Sequence, residues 1–215
     1  MGELIETTAA ENIPTVFPMV GLSYIQSARS EGRGVILLSF HGTPHPGGFV
    51  PLAKFLGIEG IPTISYLIPI RQSQYDEQND EISETTAFKL NAEIALYGQK
   101  ILNNGGVVNF ASDTNDERGR VFKVRIANRL YFIKGGFAEM ALNTGAVVVP
   151  YTRYTLDDGR VQIEFFNPME PGKGTRDEKV EKMIRDYAAF MEKCWIDHPD
   201  SMSWIKMRNH LRKPK

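Results

Sequence analysis

The sequence is poor in cysteine and in long apolar runs, and both shortages narrow what the protein can be. Of its 215 residues only Cys194 is a cysteine, so no disulfide can form within the chain and a reducing compartment fits. No uninterrupted apolar stretch approaches the ~18 residues of a membrane-spanning helix. Residues 1–14 are acidic and lack the basic and then apolar order of a secretory signal. These absences favour a cytoplasmic protein.

A large excess of charge is also missing, except at one end. The formal net charge is −1, with 24% charged and 42% hydrophobic residues. Those values are typical of a globular protein and argue against a generally basic nucleic-acid binder. Residues 206–215 hold five Lys and Arg and no acid. This basic tail could contact phosphates or anionic lipid at the inner face of a membrane, or it could be an ordinary solvated terminus.

Apolar runs alternate with amphipathic segments, and this order predicts the fold class. Strands are expected at 34–40, 62–68, 107–112 and 146–155, in two short runs around Asn128, and after a turn at 157–159. Helices are expected at 17–32, 47–56, 85–106, 135–145 and after a capping box of Thr175 and Glu178. We predict a single α/β domain over 1–215, with a mixed, mainly parallel sheet flanked by helices. Its N-terminal segment, residues 1–30, is expected to be helical.

Two of these helices carry an apolar stripe that predicts the side facing the core. In the segment 85–106 the stripe consists of Ala87, Leu90, Ile94, Tyr97 and Ile101. In the last helix it consists of Val180, Met183, Ile184, Tyr187, Met191, Cys194 and Trp195. Both stripes follow the spacing of one helical face.

Two of the four histidines follow the predicted strand 34–40, in the stretch HGTPHPGG. His41 comes directly after the strand, and His45 precedes Gly47 and Gly48. Ligands of parallel sheets bind beyond the carboxyl ends of the strands, and a histidine titrates near neutral pH, so His41 is a candidate general base. The two glycines lead into a helix start and offer N–H groups for a bound oxyanion or phosphate. A structural histidine bonded to a backbone carbonyl explains these residue types equally well.

An acidic loop follows the strand 107–112, at the same expected edge of the sheet. In this loop Asp113 could orient His41, while Asp116 and Arg118 could bind substrate; a solvated loop is the alternative. The spacing of His41 and His45 would suit two metal ligands on a helix, but the prolines around His45 disfavour a helix there. Since the sequence has no cluster of further ligands, we predict neither a metal site nor a bound cofactor.

Four stretches follow one another in an order that resembles a known enzyme superfamily. They are the strand ending at His41, the loop at Asp113, the segment GFAEMALNTGAVVVPYTRY, and the ending HPDSMSWIKMRNHLRKP with Trp204, Arg208 and Pro214. Together they resemble the lysophospholipid acyltransferase superfamily, and most closely the late acyltransferases of lipid A biosynthesis. The likeness covers roughly residues 30–214 and is most specific at 136–150 and in the C-terminal segment.

The resemblance implies an acyltransferase with His41 as general base. The donor would be an acyl thioester of CoA or of an acyl carrier protein, and the acceptor a hydroxyl or amine of a lipid or small molecule. Binding roles would fall to Gly47, Gly48 and Arg208. The family places an acid five positions after its histidine, where this chain has Pro46. The family's Asp-Gln pair after the third strand appears here as Asp113 and Thr114.

Three functions remain open after this departure. The first is an acyltransferase in which His45, Asp113 or no residue orients His41. The second is a thioester or ester hydrolase on the same scaffold, with water as the acceptor. The third is a non-catalytic relative that binds an acyl chain or a carrier protein. The loss of one orienting acid weakens a histidine base without removing substrate positioning, so the acyltransferase is the favoured prediction.

Overall fold

The computed structural model describes residues 8–42, 49–57, 63–64, 84–113 and 120–201. The strands are β1 (Met19–Val20), β2 (Val35–Ser39), β3 (Thr63–Ile64), β4 (Val107–Ala111), β5 (Val121–Ile126), β6 (Arg129–Lys134), β7 (Val147–Thr155) and β8 (Val161–Phe165). The α-helices are α1 (Ile13–Val16), α2 (Ser23–Ser30), α3 (Phe49–Phe55), α4 (Glu84–Asn103), α5 (Gly136–Thr144) and α6 (Arg176–Asp197). Short 3₁₀ turns lie at Ala10–Asn12 and Pro199–Ser201.

Six of the described strands form one sheet in the order β1-β8-β7-β2-β4-β3. β2 pairs in parallel with β4 and with β7, and β3 pairs in parallel with β4. β8 runs antiparallel to β7, and β1 pairs in parallel with β8 at the edge. β5 and β6 form a separate antiparallel hairpin. The prediction of an α/β fold with a mixed, mainly parallel sheet flanked by helices is confirmed.

β2 lies at the centre because both of its faces are apolar. All five of its residues are buried, as expected of a parallel strand covered by helices on both sides. Ile36 and Leu38 pack in a cluster with side chains of α4, α5 and α6. Val35 and Leu37 pack in a second cluster with α2 and α3. The strand therefore ends, at Ser39, between two helical layers.

The long helix α6 begins and packs as the sequence predicts. The Thr175 side chain accepts a hydrogen bond from the Glu178 N–H, and the Glu178 carboxylate accepts one from the Thr175 N–H at 2.7 Å. This capping box satisfies N–H groups that the first turn leaves unpaired. The predicted core stripe is buried at Val180, Met183, Ile184, Tyr187, Met191 and Cys194. Trp195 is partly buried and packs on the same core.

The prediction of one helix over residues 17–32 is wrong in its first half. Met19–Val20 is a short strand paired with β8, and α2 starts only at Ser23. Gly21 separates them with a φ of 79°, and a Cβ there would lie 2.3 Å from the Phe165 carbonyl oxygen. The chain is thus held against β8 in a left-handed turn that only glycine fits. The segment 1–30, where described, is therefore a mixture of helix and strand.

The predicted core stripe of α4 is also partly wrong. Tyr97 is 60% exposed, and the neighbouring Leu96 is 65% exposed. The buried side passes instead through Gly98 and Leu102, with Ile94 and Ile101 packed against the core. The buried side of the helix is therefore at Gly98 and Leu102 rather than at Tyr97. The side chains of Ala87 and Leu90 lie outside the described residues.

Candidate functional site

His41 and Asp113 leave the sheet side by side because β2 and β4 are adjacent and in register. The last residue of β2, Ser39, pairs with Ala111, the last residue of β4. His41 and Asp113 each stand two residues beyond that pair. In parallel strands these positions lie at the carboxyl edge, where open α/β sheets bind their ligands.

The Asp113 carboxylate binds His41 at two atoms through a single oxygen. Asp113 Oδ1 lies 2.8 Å from His41 Nδ1 and accepts the His41 backbone N–H at 2.9 Å. The Asp113 side chain is 5% exposed and the His41 side chain 33% exposed. A proton on Nδ1 completes the ring hydrogen bond and leaves Nε2 as the unprotonated nitrogen. A buried carboxylate therefore fixes the tautomer and orientation of a partly exposed imidazole.

The hairpin of β5 and β6 holds the backbone at Asp113. Asp113 forms an isolated antiparallel bridge with Ile133, and the Lys134 N–H donates to the Ser112 carbonyl at 3.2 Å. Ser112 and Asp113 are both buried. These backbone contacts fix the position from which the carboxylate reaches His41.

A buried tyrosine of α6 supports the end of β2 beneath the histidine. The Tyr187 hydroxyl donates to the Ser39 carbonyl at 2.7 Å, although these residues are 148 positions apart. Burial, and then the nearby negative charge of Asp113, raise the pKa of Tyr187 well above its usual value. The phenol therefore stays protonated and remains a donor at neutral pH.

A second buried tyrosine links β7 to β4 below the same edge. The Tyr151 hydroxyl lies 3.2 Å from Asn109 Oδ1 and donates to it. Burial raises the pKa of Tyr151 to about 12, so this phenol also keeps its proton. Buried hydrogen bonds of this kind fix side chains more firmly than exposed ones. Two buried tyrosines thus form hydrogen bonds within the sheet that carries the dyad, one to Asn109 of β4 and one to Ser39 at the end of β2.

The turn after His41 packs directly against the C-terminal 3₁₀ turn. A Cβ on Gly42 would lie 2.1 Å from the Ser201 carbonyl oxygen, so only glycine allows this approach. Ser201 is held by its N–H and hydroxyl, which both donate to the His198 carbonyl at 2.9 and 2.7 Å. The His198 ring stacks on Tyr154 at 3.6 Å. The chain segment that leads toward Arg208 therefore starts beside the histidine.

The structure brings together two of the candidate residues named from the sequence, His41 and Asp113. The other candidates lie outside the described residues, and their roles remain predictions: His45, Gly47, Gly48, Asp116, Arg118 and Arg208. Sequence reasoning missed the roles of Ser39, Gly42, Asn109, Tyr151 and Tyr187 beneath the dyad. The one available signal was a tyrosine within the apolar stripe of α6, because a buried phenol needs a hydrogen-bond acceptor.

The lone cysteine lies in the core of the protein and away from solvent. Cys194 is 2% exposed, and burial raises the pKa of its thiol to about 12. Because the thiolate is the nucleophile, such a thiol is inert at neutral pH. Among the described residues no group of three or more side chains is arranged to hold a metal ion. None of the described helices combines the length and apolarity needed to cross a membrane.

No protein-family model and no curated protein matches this chain. The resemblance to lysophospholipid acyltransferases therefore remains a prediction from the sequence. The fold and the His41–Asp113 geometry are what the structure itself contributes.

Proposed function

We propose that the protein is an acyltransferase with His41 as its general base and Asp113 as the residue that orients it. The donor is an acyl thioester of CoA or an acyl carrier protein, and the acceptor is a hydroxyl or amine of a lipid or small molecule. One observation carries the proposal: a single buried carboxylate oxygen binds both the ring and the backbone N–H of a partly exposed histidine. This is how a base is held and aimed at a substrate.

The proton path follows from the free ring nitrogen. His41 Nε2 takes the proton of the acceptor O–H or N–H as that atom bonds to the thioester carbonyl carbon. When the tetrahedral intermediate breaks its C–S bond, the departing thiolate takes the proton back from Nε2, which regenerates the neutral ring. Asp113 stabilises the imidazolium that exists between the two steps. Acyl transfer then needs no further acid or base from the protein.

Direct transfer to a bound acceptor fits better than an acyl-enzyme intermediate. The Ser39 and Ser112 side chains are buried, and the Ser39 hydroxyl donates to the Phe40 carbonyl. Cys194 is buried with a pKa of about 12. None of these three groups therefore stands ready for His41 to activate. The base would act on the substrate itself.

The family motif has an acid at the position where this chain has Pro46. Asp113 would perform the role of that acid. The usual acid comes from the loop that carries the histidine, whereas Asp113 comes from the end of the neighbouring strand β4. The ring requires only a carboxylate at hydrogen-bond distance from Nδ1, and the 2.8 Å separation meets that requirement. His45 is then not needed as an orienting residue.

The proposal is tested by mass spectrometry of the purified protein with a panel of acyl-CoA and acyl-carrier-protein thioesters. Each thioester is incubated with and without lipid and small-molecule acceptors. Acyl gain on an acceptor, strongly reduced in His41→Ala, supports the transferase. Thioester loss with no acylated product would indicate a hydrolase. Binding of the thioester without loss would indicate a non-catalytic relative.

A further inference from the structure

The hairpin of β5 and β6 is strongly basic in a chain that is otherwise close to neutral. Residues 120–134, RVFKVRIANRLYFIK, hold five Lys and Arg and no acid, while the whole chain has a formal charge of −1. Only one side of this hairpin faces the core. Residues Phe122, Val124, Ile126, Tyr131 and Ile133 pack in the cluster that includes α6.

The opposite side combines cations with large apolar side chains. Lys123 pairs across the hairpin with Phe132, and Arg125 pairs with Leu130. These four residues are called the outer hairpin face. Lys123 and Arg125 are exposed, Leu130 is 45% exposed, and Phe132 is partly buried. Leu130 is thus an exposed large apolar side chain directly opposite the cation Arg125, and Phe132 lies opposite Lys123.

The two cations of the outer hairpin face form no ion pair with the described residues. Within the described residues neither Lys123 nor Arg125 has an acid at ion-pair distance, in contrast to Arg120, which binds Glu139 and Asp177. The Lys123 ammonium lies over the Phe132 ring, 5.8 Å from its centre. At the turn, the Glu192 carboxylate accepts the Ala127 N–H from the α6 side of the hairpin.

We propose that the outer hairpin face docks the protein on an anionic lipid surface. Lys123 and Arg125 would bind phosphate-bearing headgroups, and Leu130 and Phe132 would enter the boundary between headgroups and acyl chains. A face two strands wide, with strands roughly 5 Å apart, is too narrow to bury the ~800 Å² per partner of a standard protein interface. A lipid surface needs only a few cations and apolar side chains.

The hairpin is also connected to the dyad. Its base, at Lys134, is hydrogen-bonded to Ser112 beside Asp113, and a six-residue strand rises roughly 20 Å from base to tip. The element that would contact the membrane therefore also fixes the backbone beside Asp113. The inference goes beyond the proposed function and rests on different residues, so docking stands even if no acyl transfer occurs.

The test is flotation with vesicles of phosphatidylcholine, with and without phosphatidylglycerol, at low salt. Neutralising the face by Lys123→Gln with Arg125→Gln should weaken binding to anionic vesicles about 30-fold, because each basic residue near an anionic surface contributes roughly a factor of five. The matched control, Lys173→Gln with Lys179→Gln, removes two charges elsewhere and should bind like wild type. His41→Ala should also bind like wild type, which separates docking from catalysis.

The apolar part of the face is tested at high salt. Raising the ionic strength from about 0.1 M to about 1 M shortens the Debye length from ~10 to ~3 Å, which screens the attraction between the cations and the headgroups. The binding that remains at high salt measures the insertion of apolar side chains. It should be weaker in Leu130→Ser than in wild type. Circular dichroism checks that both hairpin variants fold, as expected for side chains directed away from the core. Equal binding by wild type and the Lys123/Arg125 variant would overturn the proposal, and so would an equal loss in the control. Binding of an acidic protein but not of anionic vesicles would overturn it as well.

Discussion

At the scale of single residues, the site depends on one carboxylate oxygen that accepts two hydrogen bonds from His41. Asp113→Asn keeps an oxygen that can accept the backbone N–H but removes the negative charge that stabilises an imidazolium. We expect turnover to fall about 10- to 100-fold, which is ~1.4–2.7 kcal/mol in activation free energy. Steady-state kinetics on the thioester found by mass spectrometry measures this. Asp157→Asn, at an exposed turn position, is the control and should be silent.

His45→Ala distinguishes the two residues that the sequence offered as partners for His41. Because Asp113 already occupies the Nδ1 side of the ring, removal of His45 should cost little turnover. The same kinetic assay applies, with Asp113→Asn alongside. A loss of tenfold or more in His45→Ala, with Asp113→Asn unaffected, would show that Asp113 is not the orienting residue.

The buried thiol gives a prediction that is independent of activity. Cys194 is the only cysteine, and burial raises its pKa to about 12, so thiolate is scarce at mild pH and access is blocked. Native protein should resist iodoacetamide, and protein unfolded in denaturant should take up one label. Mass spectrometry counts the added groups. Rapid labelling of the native protein would contradict the position of Cys194 in the core.

The sequence indicates that His41 and Asp113 lie at the same edge of the sheet. It does not indicate that Asp113, rather than His45, is the partner of His41. Both residues follow buried-type strands, which places them at the carboxyl edge of a parallel sheet. Whether those strands are neighbours depends on pairing between residues about 72 positions apart, which local patterns do not encode. His45, only four residues from His41, was therefore an equally reasonable candidate before the strand order was known.

At the scale of elements, the capping box of α6 makes a specific contribution to stability. Thr175→Ala removes the side chain that accepts the Glu178 N–H and should cost about 1 kcal/mol of the free energy of unfolding, within the usual range of ~0.5–2 kcal/mol. Thr175→Ser keeps the oxygen and should cost much less. Denaturant unfolding followed by circular dichroism measures both. An equal loss in the two variants would contradict the cap.

The same cap has a pH dependence with a definite sign. The backbone N–H of Thr175, and then its hydroxyl, lower the pKa of the Glu178 carboxyl below its usual value. A carboxyl whose pKa is depressed on folding stabilises the fold above its unfolded pKa, near 4.3, and loses that effect as pH falls through the folded pKa. The stability difference between wild type and Glu178→Gln should therefore shrink in acid. A constant difference from neutral pH to below about pH 4 would contradict this linkage.

Helices and strands were predicted well where a local sequence pattern determines them. They were predicted poorly where a contact with a distant part of the chain determines them. β2, β4 and β7 are continuous apolar runs, and α6 has both a cap and a stripe, so each is evident in the sequence. β1 is only two residues long and exists because Gly21 lets the chain lie against β8. Tyr97 fits the apolar spacing of α4, yet Tyr97 is exposed and the neighbouring Gly98 is buried. Neither feature follows from periodicity alone.

At the scale of the whole molecule, the fold places the two proposed functional surfaces on connected elements. The sheet edge carries the dyad, and the hairpin that fixes Asp113 also carries the outer hairpin face. The sheet order could not be derived from the sequence, because nothing local states that β2 lies between β4 and β7. Because β2 and β4 are neighbours in this order, His41 and Asp113 lie side by side and form a dyad.

The central claim is that His41, oriented by Asp113, is the base for acyl transfer, and one measurement tests it most directly. It is the rate of acyl transfer from a thioester to an acceptor by wild type and by His41→Ala, with circular dichroism to confirm that the variant is folded. We predict that His41→Ala lowers the rate at least about 100-fold, because general base catalysis by a positioned side chain contributes about 10²- to 10⁴-fold. Wild-type turnover in folded His41→Ala would show that His41 is not the base.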